Sequence, residues 1–582
     1  MYILGLSCFY HDSAICLLKD GVPIAAADEQ SFTRKKHDSS FPVQAIRWAL
    51  NFANIDFSQI HAVAFYDKPL VKFERILKSH LAHFPRSFTQ FVRGMPSWFK
   101  TKLRLDKALS KEFGYKGAIC YGEHHRSHAA SSFYSSGWKE AAILTVDGVG
   151  EWSTTTWGIG RDTQLDIMHE IRFPHSLGLL YSAFTYYLGF KVNSGEYKVM
   201  GLAPYGEPKY IDRIKKLIHI QEDGSFRLNM KHFCFDYGMR MYLPSFEEIM
   251  GQPTRPLDSG ELPQFYKDVA RSIQEVVNEI MCKLATHIVK TTGQKRLCLA
   301  GGVALNCVAN GKILRETPVE EIFIQPAAGD NGGAMGAALW LWHDVLKKER
   351  SWAMSSPYLG PEYTEEFIEQ TLKDYKAVYH KLDRKALLEQ TATLLEQSQV
   401  VGWYQGRLEW GPRALGHRSI LGDPRHPKMR EIINMKIKMR EGFRPFAPSV
   451  IEEDAKQYFA LDQQSPYMLL VAPVHDSIQN SALPLPSITH VDGSARVQTV
   501  NAQQEPLYYN LLQTFKKKTG CSVLINTSMN VRGEPIVNTP EDAYRCFMRT
   551  QMDAIVIGSF LLNKKEQPHI ELKSAQDEFG LD

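Results

Sequence analysis

The chain opens with a mostly apolar run over residues 2–8, a polar turn, Phe9-Tyr10-His11-Asp12-Ser13, and a second run over 14–18. Asp20-Gly21 then signals a tight hairpin into a third run at 24–27. The same rhythm returns over 141–146, 154–160 and 165–171, with Asp147-Gly148-Val149-Gly150-Glu151 in the first turn. Short apolar runs bounded by turn residues predict strands. Two strand–turn–strand units, each with an aspartate in its first turn, predict an internal duplication. The competing reading is two unrelated hairpins whose Asp and Gly are ordinary turn formers. Val269, Ile273, Val276, Ile280, Leu284 and Ile288 recur at helical spacing and predict one long amphipathic helix, closed by Gly293. Strands are predicted at 296–300, running into Gly301-Gly302, and at 321–324, running into Gly329-Asp330-Asn331-Gly332-Gly333. Further strands are predicted at 400–404 and 522–525, and a helix opens at Pro540-Glu541-Asp542. Strands interleaved with helices make an α/β protein.

Two stretches break the pattern. Pro85 to Arg104 is rich in Phe, Trp, Arg and Lys without a clean period and reads as a solvated connecting loop, with the lining of a substrate mouth as the alternative. Asn193 to Gly206, with Gly195, Gly201, Pro204 and Gly206, reads as a tightly shaped loop that brings backbone close to a ligand. At 351–364 the composition shifts to Ser, Pro and Gly with no apolar period. That stretch is taken as a linker between a domain at 1–350 and a second at 365–582.

Composition narrows the partners. A chain of 582 residues with 44% hydrophobic and 23% charged positions has ample core for two or more domains. A formal net charge of +4 and a pI near 8.4 are too mild for a dedicated nucleic-acid domain. Nine scattered cysteines without a CxxC indicate neither a disulfide framework nor a thiolate metal site. No apolar run is long enough to span a bilayer, and Met1-Tyr2-Ile3-Leu4-Gly5 starts directly as a strand rather than as a signal segment. The expectation is a cytoplasmic protein with no membrane and no nucleic-acid partner; a homodimer is left open.

The candidate chemistry begins at Glu123-His124-His125-Arg126-Ser127-His128. His124 and His128 share one helix face one turn apart, so they can share a metal ion, while His125 is rotated about 100° away. The bland alternative is a pair of surface or capping histidines. Gly301-Gly302 after a strand suits a nucleotide contact, although such turns are common. Asp330 sits at a strand-to-helix turn, where a helix N-cap is the competing role. Arginines 407, 413 and 418, with Lys436, Lys438, Arg440 and Arg444 downstream, lie among Gly, Pro and Trp rather than on a polar helix face, which favours an anion pocket over a basic surface patch.

His11-Asp12-Ser13-Ala14, the 123–130 stretch, Ser194 to Gly206, 301–306, 329–333, 411–421, 443–448 and 526–537 occur in one order over nearly the whole chain. Together they resemble the ATP-dependent O-carbamoyltransferases of the nodulation-factor and cephamycin or aminoglycoside type. The resemblance implies an actin-like, duplicated first domain similar to the tRNA threonylcarbamoyltransferase subunit, and an α/β second domain similar to threonylcarbamoyl-AMP synthase. It implies a metal, Fe2+ with Zn2+ or Mn2+ as alternatives, on His124, His128, Asp147 and Asp330. It implies that carbamoyl phosphate and Mg2+-bound ATP form a carbamoyl-adenylate in the second domain, with Arg413, Arg418, Lys436, Arg444, Arg496, Asn526 and Ser528 as the carried-over residues. The adenylate should then pass internally to the first domain, where an alcohol acceptor attacks it. Adenine and ribose are expected near Gly301, Gly302 and Asn306, phosphate near Gly332 and Gly333, and the acceptor against His11 or Asp12. Relatives of this type modify aminoglycosides, cephems, lipo-oligosaccharides and guanidinium alkaloids, and the acceptor here is left open. The rival reading is an actin-like small-molecule kinase or ATPase using Asp12 and Asp147.

Overall fold

The computed structural model describes residues 1–580 except 258, 261 and 482. The chain forms two compact units: Met1–Glu29 with Asp38–Met354, and Gln30–His37 with Ser355–Asp582.

The first unit carries two five-stranded sheets. One holds β1 (Tyr2–Ser7), β2 (Ala14–Lys19), β3 (Val22–Asp28), β4 (Ile60–Phe65) and β5 (Ile119–Tyr121), in the order β3-β2-β1-β4-β5. The other holds β6 (Glu140–Val146), β7 (Ser153–Arg161) and β8 (Gln164–Arg172); after a separate small hairpin, β9 (Ile218–Ile220) and β10 (Phe226–Leu228), it is completed by β11 (Arg296–Ala300) and β12 (Glu321–Ile324). Its order, β12-β11-β6-β7-β8, repeats that of the first sheet. In each, three strands form an antiparallel meander and two more add in parallel beside the first. The duplication read from the two Asp-bearing hairpins is therefore present in the strand order, and with it the actin-like α/β architecture. The long helix, Gln264–Thr292, ends at Gly293 in the left-handed conformation that a glycine C-cap favours.

Each half closes with a helix, His124–Phe133 after β5 and Gly332–Trp340 after β12. The two helices exchange sheets: His124–Phe133 packs on β6 and β11, and Gly332–Trp340 packs on β1 and β2. They also pack on each other, and small residues allow it. A Cβ on Gly336 would lie 1.8 Å from the Ser127 carbonyl oxygen, and one on Gly5 would lie 2.0 Å from that of Ala334.

The second unit is built on one mixed nine-stranded sheet. Its strands are β13 (His380–Lys381), β14 (Val401–Tyr404), β15 (Arg418–Gly422), β16 (Ala447–Ile451), β17 (Leu470–Pro473), β18 (Ser494–Val500), β19 (Val523–Ser528), β20 (Ala554–Ile557) and β21 (Phe560–Asn563). They run in the order β13-β21-β20-β14-β15-β19-β16-β18-β17. The Gln30–His37 segment belongs here through Arg34, which donates to the Ile536 carbonyl at 2.7 Å and pairs with Glu534 and Asp542 at 3.2 Å.

Three sequence expectations change. Pro85 to Arg104 is not a loop: it holds the helix Phe88–Ser97 and a wide turn, Trp98–Lys102. Gly94 and Pro96 hide the period, and packing of Trp98 against Phe73 at 5.5 Å supplies what local propensity does not. Asn193 to Gly206 contains the helix Glu196–Leu202, anchored by buried Val199 and Leu202. Glu196 accepts from the Asn193 amide at 3.0 Å and the Ser182 hydroxyl at 2.8 Å. Residues 351–364 form no helix or strand, yet 357–361 are not a free tether. Tyr358 stacks on His417 at 3.7 Å, and the Pro357 and Pro361 carbonyls accept from the Trp410 and Leu408 amides. Among the described residues no helix is long and apolar enough to cross a membrane.

Gly336→Ala should force the two crossing helices apart. Overpacking of this kind costs about 1–3 kcal/mol. A melting temperature equal to that of the wild type would contradict the contact.

Candidate functional site

Nine of the ten residues of the His124–Phe133 helix are buried, so the helix is a core element rather than an amphipathic one. Its start is fixed by a carboxylate from elsewhere. Glu151, at the end of the β6–β7 turn, accepts from the His124 amide at 3.1 Å and from the Lys68 amide at 2.8 Å. An anion at a helix N-terminus meets both the unpaired amides and the positive end of the helix dipole.

On this helix His124 and His128 aim their Nε2 atoms at one point, 3.1 Å apart. Asp147, just past β6, places Oδ2 at 3.0 Å from His124 Nε2 and 3.9 Å from His128 Nε2. Asp330, just past β12, places Oδ1 at 3.6 and 3.5 Å from the same two atoms. All four ligand atoms lie within 4.8 Å of one another, and all four residues are buried or half-buried. Two neutral imidazoles this close share one proton at most, while the carboxylates bring two negative charges. One divalent cation satisfies all four atoms together, and a set of two imidazoles and two carboxylates suits Fe2+, Zn2+ or Mn2+. The residues therefore fit the expected metal.

The electrostatics agree with that demand for positive charge. Burial alone pushes the His124 imidazolium down, but the Asp330 and Asp147 carboxylates outweigh it and its pKa is raised. Burial pushes the Asp147 carboxyl up, and the His124 hydrogen bond with the His128 charge overturns this, holding it well below the usual carboxylate range. His125 is turned away, as the helical spacing requires. Its Nδ1 meets the Thr145 hydroxyl at 2.6 Å, and burial followed by the neighbouring His124 and His128 pushes it well below an ordinary histidine. Packing holds the two ligand rings: the Nδ1 atoms of His124 and His128 have no hydrogen-bond partner among the described residues, and the Tyr66 ring lies 5.3 Å from that of His124.

The other first-unit residues divide clearly. Gly301 must be glycine: its φ is +92° and a Cβ would lie 2.3 Å from the Val146 carbonyl oxygen. The exposed Gly302 donates its amide to Asp147 Oδ1 at 2.8 Å, which ties this turn to the His–Asp cluster. Asn306 caps the helix Cys307–Glu316 and exchanges two 3.1 Å hydrogen bonds with Gln274. Gly332 and Gly333 are buried, and their amides donate to the Gly329 and Asp330 carbonyls rather than outward. The helix N-cap is Asn331, which leaves the Asp330 side chain to the cluster. His11 Nδ1 lies 2.7 Å from Asp12 Oδ2, and its Nε2 lies 3.2 Å from the Asn193 carbonyl oxygen. Burial lowers the His11 pKa, but Asp12 and then Asp330 raise it to about 9.

In the second unit the sheet brings some of the expected residues to one face. On β18 Arg496 and Gln498 point the same way, and on β19 so do Asn526 and Ser528. Asn526 Nδ2 donates to Gln498 Oε1 at 2.9 Å and to Ser449 Oγ at 3.1 Å, while its Oδ1 is buried without a partner. The lysine that reaches Ser528 is Lys438, not Lys436. Lys438 is 3% exposed and its Nζ donates to Asn530 Oδ1 at 2.7 Å, to Ser528 Oγ at 3.3 Å and to the Ser528 carbonyl. Burial, with Arg440 beside it, pushes its pKa well down. Lys436 is exposed. Arg418 is fully buried, its guanidinium 3.7 Å from the Tyr404 ring centroid and bonded to the carbonyls of Gln405, Gly406 and His417. It ties the 405–407 loop to β15 and is not turned toward a ligand. Arg444 is buried beside Glu441 at 2.8 Å, and Arg413 is half-buried in the 411–416 loop.

Glu151, Lys438 and Asn530 were not singled out from the sequence. Glu151 closes the same turn as Asp147, and Lys438 stood within the run of cations, so the signals were present without a way to rank them.

The two halves of the chain match family models described as carbamoyltransferase N-terminus, over residues 2–339, and carbamoyltransferase C-terminus, over residues 392–564. The protein sll1178 of Synechocystis sp., itself described as uncharacterized, is 51% identical over the full length of both chains. Nodulation protein NolNO of Sinorhizobium fredii is 36% identical over 96% of this chain and 79% of its own. The 3'-hydroxymethylcephem-O-carbamoyltransferase of Streptomyces clavuligerus is 35% identical over 45% of this chain and 47% of its own.

Purified protein should carry close to one first-row divalent metal per chain, and His124→Ala should lose it while Glu151→Gln keeps it. Elemental analysis of the three proteins checks this; full metal in His124→Ala would overturn the ligand set. Glu151→Gln should instead lower stability by about 0.3–2 kcal/mol through the uncapped helix start.

Proposed function

The chain belongs to the carbamoyltransferase family, and from that premise we propose that it makes a carbamoyl-adenylate from carbamoyl phosphate and ATP, then transfers the carbamoyl group to a hydroxyl of a small-molecule acceptor. The observation that carries the reading is the buried convergence of His124, His128, Asp147 and Asp330. It supports the O-carbamoyl chemistry named for the cephem relative. A kinase working through Asp12 and Asp147 leaves the histidine pair without a task.

The first stage belongs to the second unit. Water first cleaves carbamoyl phosphate to carbamate and inorganic phosphate; a carbamate oxygen then attacks the α-phosphorus of ATP, the α–β bridging P–O bond breaks, and pyrophosphate leaves. Several negative charges meet in that step, and fixed cations aimed at them lower its barrier. Arg496 stands on the sheet face with Asn526 and Ser528. Lys438 holds Ser528 and Asn530 in place from beneath. The unpaired Asn526 Oδ1 is available to the carbamoyl NH2.

The second stage belongs to the first unit. His124, His128, Asp147 and Asp330 would hold a divalent metal, iron or alternatively zinc or manganese, which would supply a Lewis acid for the carbamoyl carbonyl. The acceptor oxygen bonds to the carbonyl carbon, the bond to the AMP oxygen breaks, and AMP departs. Gly302 positions Asp147 through its amide. With a pKa near 9, His11 is charged at neutral pH, so it orients Asp12 and offsets the AMP charge. The acceptor's proton then falls to the carboxylate of the pair. All nine cysteines are unbonded, which fits work in a reducing cytoplasm.

Exchange of label between pyrophosphate and ATP should require carbamoyl phosphate, and His128→Ala should keep that exchange while losing carbamoyl transfer to a panel of hydroxylated metabolites followed by mass spectrometry. Cleavage of ATP to ADP with a phosphorylated product, or equal loss of both stages in His128→Ala, would overturn the two-site reading.

A further inference from the structure

Next to the metal cluster, on the side of β1 and β4, a group of buried polar atoms has nothing to bind. Tyr66 packs its ring on His124, is fully buried, and its hydroxyl has no partner. The Tyr10 hydroxyl is in the same position. Asp67 is fully buried; its Oδ2 holds Lys72 Nζ at 2.8 Å and its Oδ1 holds nothing.

Two cations complete the group. Arg75 is 6% exposed and its guanidinium lies 4.6 Å from the Phe173 ring centroid. Among the described residues it donates to no oxygen, and no carboxylate lies within ion-pair distance of it. Lys102 is half-buried and makes no hydrogen bond or ion pair either. Its Nζ lies 4.1 Å from the Tyr10 ring centroid, with Lys72 Nζ at 3.6 Å from the same point. Glu151 makes no ion pair with either; its oxygens hold the His124 and Lys68 amides, and its charge acts on Arg75 from a distance. Burial pushes Arg75 down to about 10, and burial with repulsion from Lys72 pushes Lys102 down to about 8.

Charge counting gives the class of ligand. Lys72 and Asp67 cancel and Glu151 offsets one charge from a distance, so Arg75 and Lys102 leave a net positive charge with no ion-pair partner among the described residues. A trapped water satisfies a hydroxyl, but it does not neutralise a buried cation. We infer that this cluster is the acceptor subsite and takes a hydroxylated small molecule bearing a phosphate or carboxylate. Arg75 and Lys102 meet the anion, the Tyr10 and Tyr66 hydroxyls donate to the ligand, and Asp67 Oδ1 accepts from one of its hydroxyls. The assignment rests on the first unit being the transfer unit, and it argues against a polycationic acceptor. A second source of the same anion is the phosphate of the adenylate. The Gly301-Gly302 turn, on the other sheet at Asp147, suits the nucleotide better.

The test titrates inorganic phosphate, and separately AMP, into full-length metal-loaded protein by calorimetry at constant ionic strength. One phosphate-binding component should weaken at least about tenfold in Arg75→Met and in Lys102→Met, because a charge-assisted pair is lost. It should persist in Arg496→Met and return in part in Arg75→Lys. AMP affinity should not change in Arg75→Met. Without phosphate, Arg75→Met should melt no lower than wild type, because an unpaired buried charge has been removed. Phosphate binding unchanged in both methionine variants overturns the subsite. A markedly lower melting temperature overturns it in favour of a structural Arg75. Loss of AMP affinity matching that of phosphate overturns the acceptor assignment. Because binding is read without turnover, failure of the carbamoyl-transfer reading would show separately, in the exchange and transfer assays.

Discussion

Two imidazole nitrogens held 3.1 Å apart between two carboxylates set the terms for the rest of the first unit. Such an arrangement is tolerable in a buried place only if positive charge joins it. Everything around it works to keep the four side chains there. Glu151 fixes where the histidine helix begins, Gly302 holds Asp147, and Asn331 takes over the helix cap so that Asp330 is free of it.

The duplication explains how four ligands from distant parts of the chain meet. Each half ends in a helix that packs on the sheet of the other half, so the two helices cross beside both sheets. The crossing needs small residues on both partners, and Gly336 against Ser127 is its tightest point. The halves then diverge in their first turns. One carries His11 and Asp12, with Tyr10 facing the unpaired cations; the other carries Asp147 and Glu151. A duplicated scaffold thus presents unlike side chains from its two first turns.

Much of this was legible in the sequence. The repeated hairpins with their aspartates pointed to the duplication, and the shared strand order of the two sheets decides it against two unrelated hairpins. Spacing alone placed His124 and His128 on one helix face, since 3.6 residues per turn brings them together, but their burial beside two carboxylates came from the fold. What was not legible depended on tertiary contact. The helix Phe88–Ser97 is interrupted by Gly94 and Pro96 and is stabilised by packing of the following turn, so its period is hidden. Lys436 and Lys438 are chemically alike, and only the fold buries one beneath Ser528 and exposes the other. Arg418 read as an anion ligand because guanidinium suits phosphate, yet four backbone carbonyls already accept from it. The orphaned Arg75 and Lys102 sat in stretches that composition alone presents as ordinary basic surface.

The central claim is that both histidines and both aspartates bind one metal. X-ray absorption at the metal edge of the purified protein tests it most directly. The account predicts two imidazole nitrogens and at least two carboxylate oxygens at about 2.0–2.2 Å. A spectrum with sulfur ligands, or with oxygen alone and no imidazole scattering, would contradict it.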